Sequence, residues 1–530
     1  MFTFAFLIGL YSYSILLLGL FHLLYFPFLF LISLFFFFLA LLYFKKIKVF
    51  KLKLDFNKDK IILLSLVLLF TQLLINLVGV LGPEISFDAL WYHLTIPKIF
   101  LSQHTVFHIP GNLLYYSDMP KNMEMIYIAA ISLGTETLAK LVHFIFGILI
   151  VLVVYRIGKK YLGIKYALLA CLIFVSNLVF GWESITAYID LGRTFFEIIA
   201  LYFILAWAKT KDVKNIYKSS IMVGFAIATK LIALASIPIF LGIILFVCLI
   251  TNPASKKSLV KYLFIFTFIS FLIPMPWFIF SFINTGDPFY PFLSFLKLSS
   301  GNIFSLQYFI ASFKELFVYS QDPINPIYII VLPLIFVGFI KFKTPSKIIV
   351  IYCFLSLFFW YFTPKLGGGR FILPYLPAFS ILAAYAIKEI KGRFLGRYLI
   401  ILVFIFSLLS IFYRGVANYK FLPVVLGKET KTQFLSNKLN FKFGDFYDTD
   451  NYFKTHIKLT DIVLLYGFHN LYYIDFPFID SSYVKKGDTF NFIATQWSNL
   501  PKQFSNWKLI YYNRLTSVKL YSLGGKICVY

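Results

Sequence analysis

Residues 61–101 read IILLSLVLLFTQLLINLVGVLGPEISFDALWYHLTIPKIFL. Residues 61–81 carry no charge, and about 20 such residues cross a hydrocarbon layer of roughly 30 Å as a helix. The pattern changes after Gly82-Pro83. Phe87, Leu90, Trp91 and Leu94 recur at i, i+3, i+4 and i+7, Asp88, Tyr92 and Thr95 form the opposite stripe, and Glu84 stands one turn before Asp88. The period predicts a helix on the bilayer surface, its apolar face in the headgroup boundary and a carboxylate presented above it. Pro97 is expected to end or kink it.

The same alternation of apolar run and polar break fills most of the chain. Of 530 residues, 60% are hydrophobic and only 14% charged, a composition that excludes a water-soluble globule and points to a polytopic membrane protein. Apolar runs fall near 1–18, 21–44, 61–81, 137–155, 166–182, 188–207, 221–250 (as two short spans), 262–282, 327–340, 348–362, 371–387 and 398–412. That makes about 13 crossings. The start, MFTFAFLIGLYSYS, lacks the basic region of a cleaved signal and reads as a retained span. Cys171, Cys248, Cys353 and Cys528 are far apart, the first three inside apolar runs, and read as small hydrophobes, not as a disulfide or zinc framework.

Charge sets the orientation. The net +26 does not imply nucleic acid, because Lys and Arg gather between apolar runs instead of forming a stripe. The basic breaks at 45–60, 156–165, 209–218, 256–261, 341–347 and 388–397 all fall on one side, the cytoplasmic side by the positive-inside rule, together with the N-terminus. Glu84, Asp88, Asp118, Glu124, Glu136, Glu183, Asp287, Glu315 and Asp322 fall on the other side. Loops 82–136 and 284–325 are then external. The parity requires two spans within 221–250, with Lys230 at their turn. After 413 the apolar runs stop, and strand-like stretches at 462–467, 471–475, 507–512 and 526–530 suggest a small α/β domain. The expected architecture is a mainly α transmembrane bundle over 1–413 in the plasma (inner) membrane, with an external domain over 414–530.

Charges within spans are costly and are functional candidates by default. Asp190, Arg193 and Glu197 lie at i, i+3 and i+7, with Lys230 on a neighbouring run; the bland reading is a self-satisfied cluster joining helices. Four cations lie near the outer face: Lys98, Lys230, Lys365 and Arg370. Arg370 follows Gly367, Gly368 and Gly369, whose backbone can approach an anion closely, although Lys365 and Arg370 also suit a headgroup anchor. His93, His104 and His108 match no defined metal spacing. Trp91, Tyr115 and Tyr116 suit either sugar stacking or a plain interfacial role.

Seven segments, in order, carry a resemblance: FDALWYHLTIPK, IPGNLLYYSDMPKNMEMIYIAAISLGTETLAKLVH, AYIDLGRTFF, GFAIATKLIAL, NTGDPFYPF, GGGRFILPYLPAF and LGKETKTQFL. Together they resemble the GT-C-fold glycosyltransferases that take sugars from polyprenyl-phosphate donors, notably bacterial relatives of protein O-mannosyltransferases and of the lipid A aminoarabinose transferase. The resemblance implies an inverting transfer at the external face. Asp88 matches the family's general base, which deprotonates an acceptor hydroxyl on a lipid, glycan or protein. The family often has Asp followed by Glu; here Ala89 follows, and Glu84 is the nearest substitute. Arg370, Lys365, Lys230 and Lys98 are the expected phosphate ligands, and Tyr92, His93, Asp118, Asp190 and Arg193 are expected around the substrates. No metal site is assigned, and a divalent ion stays open because the family is divided on it. Two other classes fit the composition: a flippase or transporter of lipid-linked saccharides, with Asp190, Arg193, Glu197 and Lys230 along its path, and a lipid-linked glycan polymerase or ligase.

Overall fold

Long uncharged runs leave the backbone no partner but itself, and helices result. The computed structural model describes residues 1–46, 59–251, 255–291, 305–334, 343–363, 368–390, 393–524 and 528–530. Among these residues eight helices are long and apolar enough to cross a membrane: Phe2–Leu20, Phe26–Tyr43, Lys60–Leu81, Glu136–Leu162, Asp190–Thr210, Leu231–Leu249, Thr344–Tyr361 and Phe394–Tyr419. Lys256–Leu272 and Met275–Thr285 form a bent pair at 57°, meeting at Pro274, which has no N–H to continue the ladder.

The remaining apolar runs are shorter or interrupted. The run at 166–182 becomes Ile164–Val175 and Leu178–Glu183. Between them Asn177 turns its amide onto Phe174 O (2.7 Å) and the Tyr328 hydroxyl (3.1 Å). The run at 221–250 breaks at Lys230, after Lys214–Thr229, where the charge parity asks for a turn. The run at 371–387 enters its helix, Leu376–Glu389, through two 3-10 turns. The run at 327–340 is described only in its first half.

The bundle has two chemically different ends. At one end the Met1 ammonium meets the Tyr43 hydroxyl, Lys218 lies over the Phe2 and Phe203 rings, Arg156 and Lys160 lie over Tyr202, and Lys165 sits 3.8 Å from Asp59. Lys60–Leu81 and Lys214–Thr229 start there and finish at the opposite end, where residues 82–136, Asp190 and Arg370 gather. Lys140, fully buried, ties the entry of this region by donating to Gly79 O (2.9 Å), Gly82 O (2.8 Å) and Pro83 O (3.3 Å). A cation on the last carbonyls of a helix satisfies groups that have no partner within it.

The segment 82–102 differs from a helix lying on the bilayer surface. It is a π-helical turn, Ala89–His93, followed by Thr95–Ser102, and both faces are covered: Leu90 and Leu94 are buried, and so are Tyr92 and Thr95. Pro97 does not end the helix. It is the third residue of Thr95–Ser102, within the first turn, whose N–H groups have no helical partner to lose. The second half of the first loop is a buried helix, Asn122–Leu133. It packs so close to Asp190–Thr210 that a Cβ on Gly192 would stand 2.6 Å from Met123 Sδ.

The last long helix runs Arg393–Tyr419, and the sheet domain follows. Its strands are β1 (Val463–Tyr466), β2 (Phe478–Asp480), β3 (Thr489–Phe490), β4 (Phe492–Gln496), β5 (Lys508–Tyr512), β6 (Val518–Ser522) and β7 (Cys528–Val529). The main sheet has the order β2-β1-β4-β6-β5, with β2, β1 and β4 parallel and the rest antiparallel; β3 and β7 pair separately. The strand expected at 471–475 is a turn. Its carbonyls face the bundle instead of a ladder: Lys98 Nζ donates to Tyr472 O (2.7 Å) and Ile474 O (2.9 Å) and pairs with Asp475 (2.6 Å). Tyr473 Oη donates to Glu84 O (2.8 Å), and Lys431 pairs with Glu136.

Lys98 is therefore a docking residue. Lys98→Met removes three bonds to one turn, and hydrogen exchange at 471–475 is expected to accelerate at least about tenfold, a loss of roughly 1.4 kcal/mol or more of local protection. Unchanged exchange would assign the docking to other contacts.

Candidate active site

Four elements converge where the chain first leaves the long helix Lys60–Leu81. Glu84 is buried and spends its carboxylate on backbone: Oε1 accepts from Ile85 N (2.9 Å) and Ser86 N (2.8 Å), and Oε2 accepts from Ala187 N (2.7 Å). It pins the 82–88 strand of chain to the 184–189 turn, and Asp88 and Asp190 are brought together as a result. Asp88 then opens the π-helical turn. Tyr92 Oη donates to Asp88 Oδ2 at 2.9 Å, and the Asp88 amide donates to Tyr188 Oη at 3.3 Å.

The centre of the site is Arg370. One Nη donates to Asp88 Oδ2, Nε donates to Asp190 Oδ2 at 2.9 Å, and the guanidinium lies 4.2 Å from the Tyr188 ring centroid. Glu183 Oε1 is 3.3 Å from Nε, an ion-pair contact without hydrogen-bond geometry. Lys230 Nζ donates to Asp190 Oδ1 at 2.6 Å. Three acidic side chains thus share two cations in a nearly dry place: Glu183 is 0% exposed, Asp190 1% and Arg370 10%, whereas Asp88 is 19% exposed. Arg370 keeps one donor in reserve, because its other Nη has no partner among the described residues. Lys230 spends one N–H on Asp190 and is the second cation of the cluster.

The electrostatics follow from this sharing. Burial raises the proton affinity of Asp88, but the Arg370 charge and the hydrogen bonds from Arg370 and Tyr92 outweigh it, and the Asp88 pKa lies below the ordinary carboxylate value. Glu183 is the opposite case. Burial and the Asp190 charge push its pKa well up, past what Arg370 and Lys230 return, and neither of its oxygens has a hydrogen bond. Of the three acids, Glu183 is therefore the one that burial most favours in its neutral form.

Gly368 and Gly369 serve close packing of the chain. Gly368 has φ +55°, its pro-Cβ position is filled by Ser320 Oγ, and a Cβ on Gly369 would stand 3.0 Å from Ile324. They let the chain press against 320–324. Lys365 and Gly367 lie outside the described residues. Lys98 belongs to the domain contact. Asp118 faces His108 (2.9 Å) and Ser117 (3.2 Å), and His93 faces Glu124 (2.9 Å). Arg193 pairs with Glu197 at 2.7 Å, its fork completed by the Tyr375 hydroxyl (2.9 Å), while Tyr352 bonds the other Glu197 oxygen (3.3 Å). That cluster is sealed and joins helices, and it offers no path for a saccharide. Of the expected residues, Asp88, Tyr92, Asp190, Lys230 and Arg370 are in mutual contact.

Glu183 and Glu124 were not singled out for the site. Glu183 had a signal: an acid at the end of an apolar run has to be paid for by a partner. Among the described residues no three His, Cys, Asp or Glu side chains converge as metal ligands. The site carboxylates are arranged around Arg370 and Lys230, a set that does not fit a divalent ion.

Residues 125–280 match the family described as dolichyl-phosphate-mannose-protein mannosyltransferase. The fold is similar to that of ArnT from Cupriavidus metallidurans, both bound to undecaprenyl phosphate (TM-score 0.59, 13% identity) and in the apo state (TM-score 0.59, 14% identity). Each alignment covers 86% of this chain and 97% of that one. The archaeal oligosaccharyltransferase AglB from Archaeoglobus fulgidus, in complex with an inhibitory peptide and a dolichol-phosphate, aligns with a TM-score of 0.47 and 11% identity over 81% of this chain and 69% of that one. No curated protein matches the chain by sequence. The chain is a polytopic membrane protein with the GT-C fold of membrane glycosyltransferases, and the resemblance seen in its motifs stands.

The two buried acids beside Arg370 respond differently to neutralisation. Glu183→Gln is expected to change stability by less than about 1 kcal/mol, because burial already favours an uncharged group at this position. Asp190→Asn leaves two buried cations short of a counter-charge and is expected to cost about 3–5 kcal/mol. Thermal unfolding in detergent checks both, and equal losses would contradict the preference of Glu183 for its neutral form.

Proposed function

We propose that this protein is an inverting glycosyltransferase that moves a sugar from a polyprenyl-phosphate donor to an acceptor hydroxyl at the external face of the plasma membrane. The observation that carries the reading is the contact between Asp88, the more open carboxylate, and Arg370, a cation that keeps an unspent donor among the described residues. A transfer of this kind needs a base for the incoming hydroxyl and cations for the leaving phosphate, within one sugar's width of each other.

In the proposed reaction the donor phosphate sits on the free Nη of Arg370 and on Lys230. Asp88 takes the hydroxyl proton, the acceptor oxygen attacks the anomeric carbon from the face opposite the phosphate, and the bond from that carbon to the phosphate oxygen breaks. The electron pair leaves with the lipid phosphate, and the anomeric configuration inverts. An arriving phosphate also competes with Asp88 for Arg370. Once the guanidinium turns to the phosphate, burial acts on Asp88 unopposed, and its proton affinity rises toward that of a working base. The donor thereby prepares the base that attacks it.

Two features support a lipid donor. An apolar cavity of about 280 Å³, lined by Phe313, Leu316, Tyr328, Leu357, Ile372 and Leu376 among others, includes residues two and six positions after Arg370, which suits the first isoprene units. The segregation of basic loops at the far end of the bundle supports an external site by the positive-inside rule. Glu84 is given no chemical role in this scheme, its carboxylate being held by three amides. No step passes through a metal.

The test is the release of decaprenyl phosphate from radiolabelled decaprenyl-phosphate hexoses and pentoses by protein in proteoliposomes, with lipid, glycan and peptide acceptors offered in turn. Asp88→Asn is expected to lower kcat by about 10²–10⁴-fold, whereas movement of the intact donor across the vesicle with no glycosidic bond formed would replace the reading with a flippase. Arg370 adds a pH prediction. The base must be ionised, and Arg370 holds its pKa down, so the acid limb that Asp88 itself contributes to kcat/KM lies below the ordinary carboxylate range. In Arg370→Gln the residual activity has its acid limb at higher pH, and an unmoved limb would separate Asp88 from Arg370 in function.

A further inference from the structure

The buried pair His93–Glu124 has no task in the reaction above, and it is too costly to be incidental. His93 Nδ1 is 2.9 Å from Glu124 Oε1, and the two residues are 1% and 3% exposed. His93 Nε2 and Glu124 Oε2 both lack a hydrogen-bond partner among the described residues. Orphaned polar atoms this deep each cost on the order of 1–3 kcal/mol and call for an explanation.

The backbone supplies the first part of one. In an α-helix residue i+5 points well away from residue i, but Leu94 N bonds Ala89 O across five residues (2.9 Å), so the turn after Asp88 is π-helical. Tyr92 on this wider turn bonds Asp88, and His93 beside it is close enough for the Asp88 charge to act on it. Tyr92, whose ring centroid is 4.2 Å from that of His93, donates to Asp88; Tyr188, 5.5 Å away on the other side, accepts from the Asp88 amide. The imidazole is thus held between the two tyrosines that touch the proposed base.

From this geometry, and resting on the role given to Asp88, we infer that His93 and Glu124 form the proton exit of the base. Asp88 gains an O–H when the acceptor hydroxyl loses its proton, and it must give that proton up before another turnover. The proton passes from the Asp88 carboxyl to His93 Nε2, breaking the O–H and forming an N–H. The resulting imidazolium is stabilised by the Glu124 carboxylate at Nδ1, and the proton is lost to water when the product leaves and the opening refills. Before reaction the imidazole is neutral, since burial lowers its pKa more than Glu124 and Asp88 raise it. Its charged and titratable surroundings are Asp88 and Tyr92 on its own turn, Glu124 and Lys121 from the Asn122–Leu133 segment, His143 from Glu136–Leu162, and Tyr188 and Arg370.

Glu124→Gln is the informative variant, because an amide oxygen still accepts from Nδ1–H and keeps the ring in place while removing the charge that stabilises the imidazolium. With the decaprenyl-phosphate sugar turned over fastest by the wild type, Glu124→Gln is expected to lower kcat about tenfold or more with KM for the donor within about twofold, and to enlarge the solvent deuterium isotope effect on kcat. His93→Gln is expected to lose the acid limb that imidazole protonation gives the wild type, leaving only the lower limb of Asp88. Wild-type kcat and isotope effect in a folded Glu124→Gln protein would overturn the inference. If Glu124→Gln does not fold, the limb in His93→Gln decides, and its persistence overturns the inference. Asp88→Asn, run alongside, separates the two claims: full activity there removes the base itself, whereas an inactive Asp88→Asn beside a normal Glu124→Gln removes only the exit.

Discussion

A single guanidinium shared among three carboxylates holds the functional end of this molecule together. Arg370 reaches Asp88 from the first loop, Asp190 from the start of a spanning helix and Glu183 from the turn between them. Three full negative charges around two cations, away from water, would be severely penalised. The penalty is eased because burial favours the neutral form of Glu183 and because Asp88 sits at the edge, where it meets solvent. The residue best placed to meet a substrate is consequently the one least committed to the cluster.

The rest of the architecture serves to bring these groups together. Lys140 closes the helix before the loop, Glu84 laces the loop to the 184–189 turn, the glycines at 368 and 369 let the segment carrying Arg370 press in against 320–324, and Lys98 fastens the sheet domain over the first loop. The imidazole of His469, from the loop after β1, lies 4.4 Å from the Trp91 ring and 4.8 Å from Phe87, so the sheet domain reaches the helix turn that follows Asp88. Aromatic rings at Tyr92, Tyr115 and Tyr116 stack beside it, at 3.7 and 4.2 Å.

Much of this was legible in the sequence because membranes leave few choices. Apolar length locates helices, and the spacing of lysines locates their ends. The juxtaposition of Asp88 with Arg370, 282 positions later, was reached only through family motifs, since nothing local to either residue implies the other. What the sequence concealed was what depends on close packing. A 3.6-residue period could not announce the π-helical turn at Ala89–His93. Glycines before an arginine look the same whether they admit an anion or a neighbouring strand of chain. Lys98 reads as a phosphate ligand until the carbonyls of residues 472 and 474 are seen around it. The strand-like LYYID becomes a turn because its carbonyls have a lysine to bind instead of a ladder.

The central claim is that one cation serves Asp88 in the resting protein and the phosphate in the complex. Its most direct measurement is proton uptake on binding decaprenyl phosphate, in weakly buffered proteoliposomes near pH 5, for the wild type and for Asp88→Asn. If the phosphate draws Arg370 away, Asp88 gains proton affinity, and the wild type takes up protons that Asp88→Asn does not. Equal uptake in the two proteins, or binding unaffected by Arg370→Gln, would contradict the account.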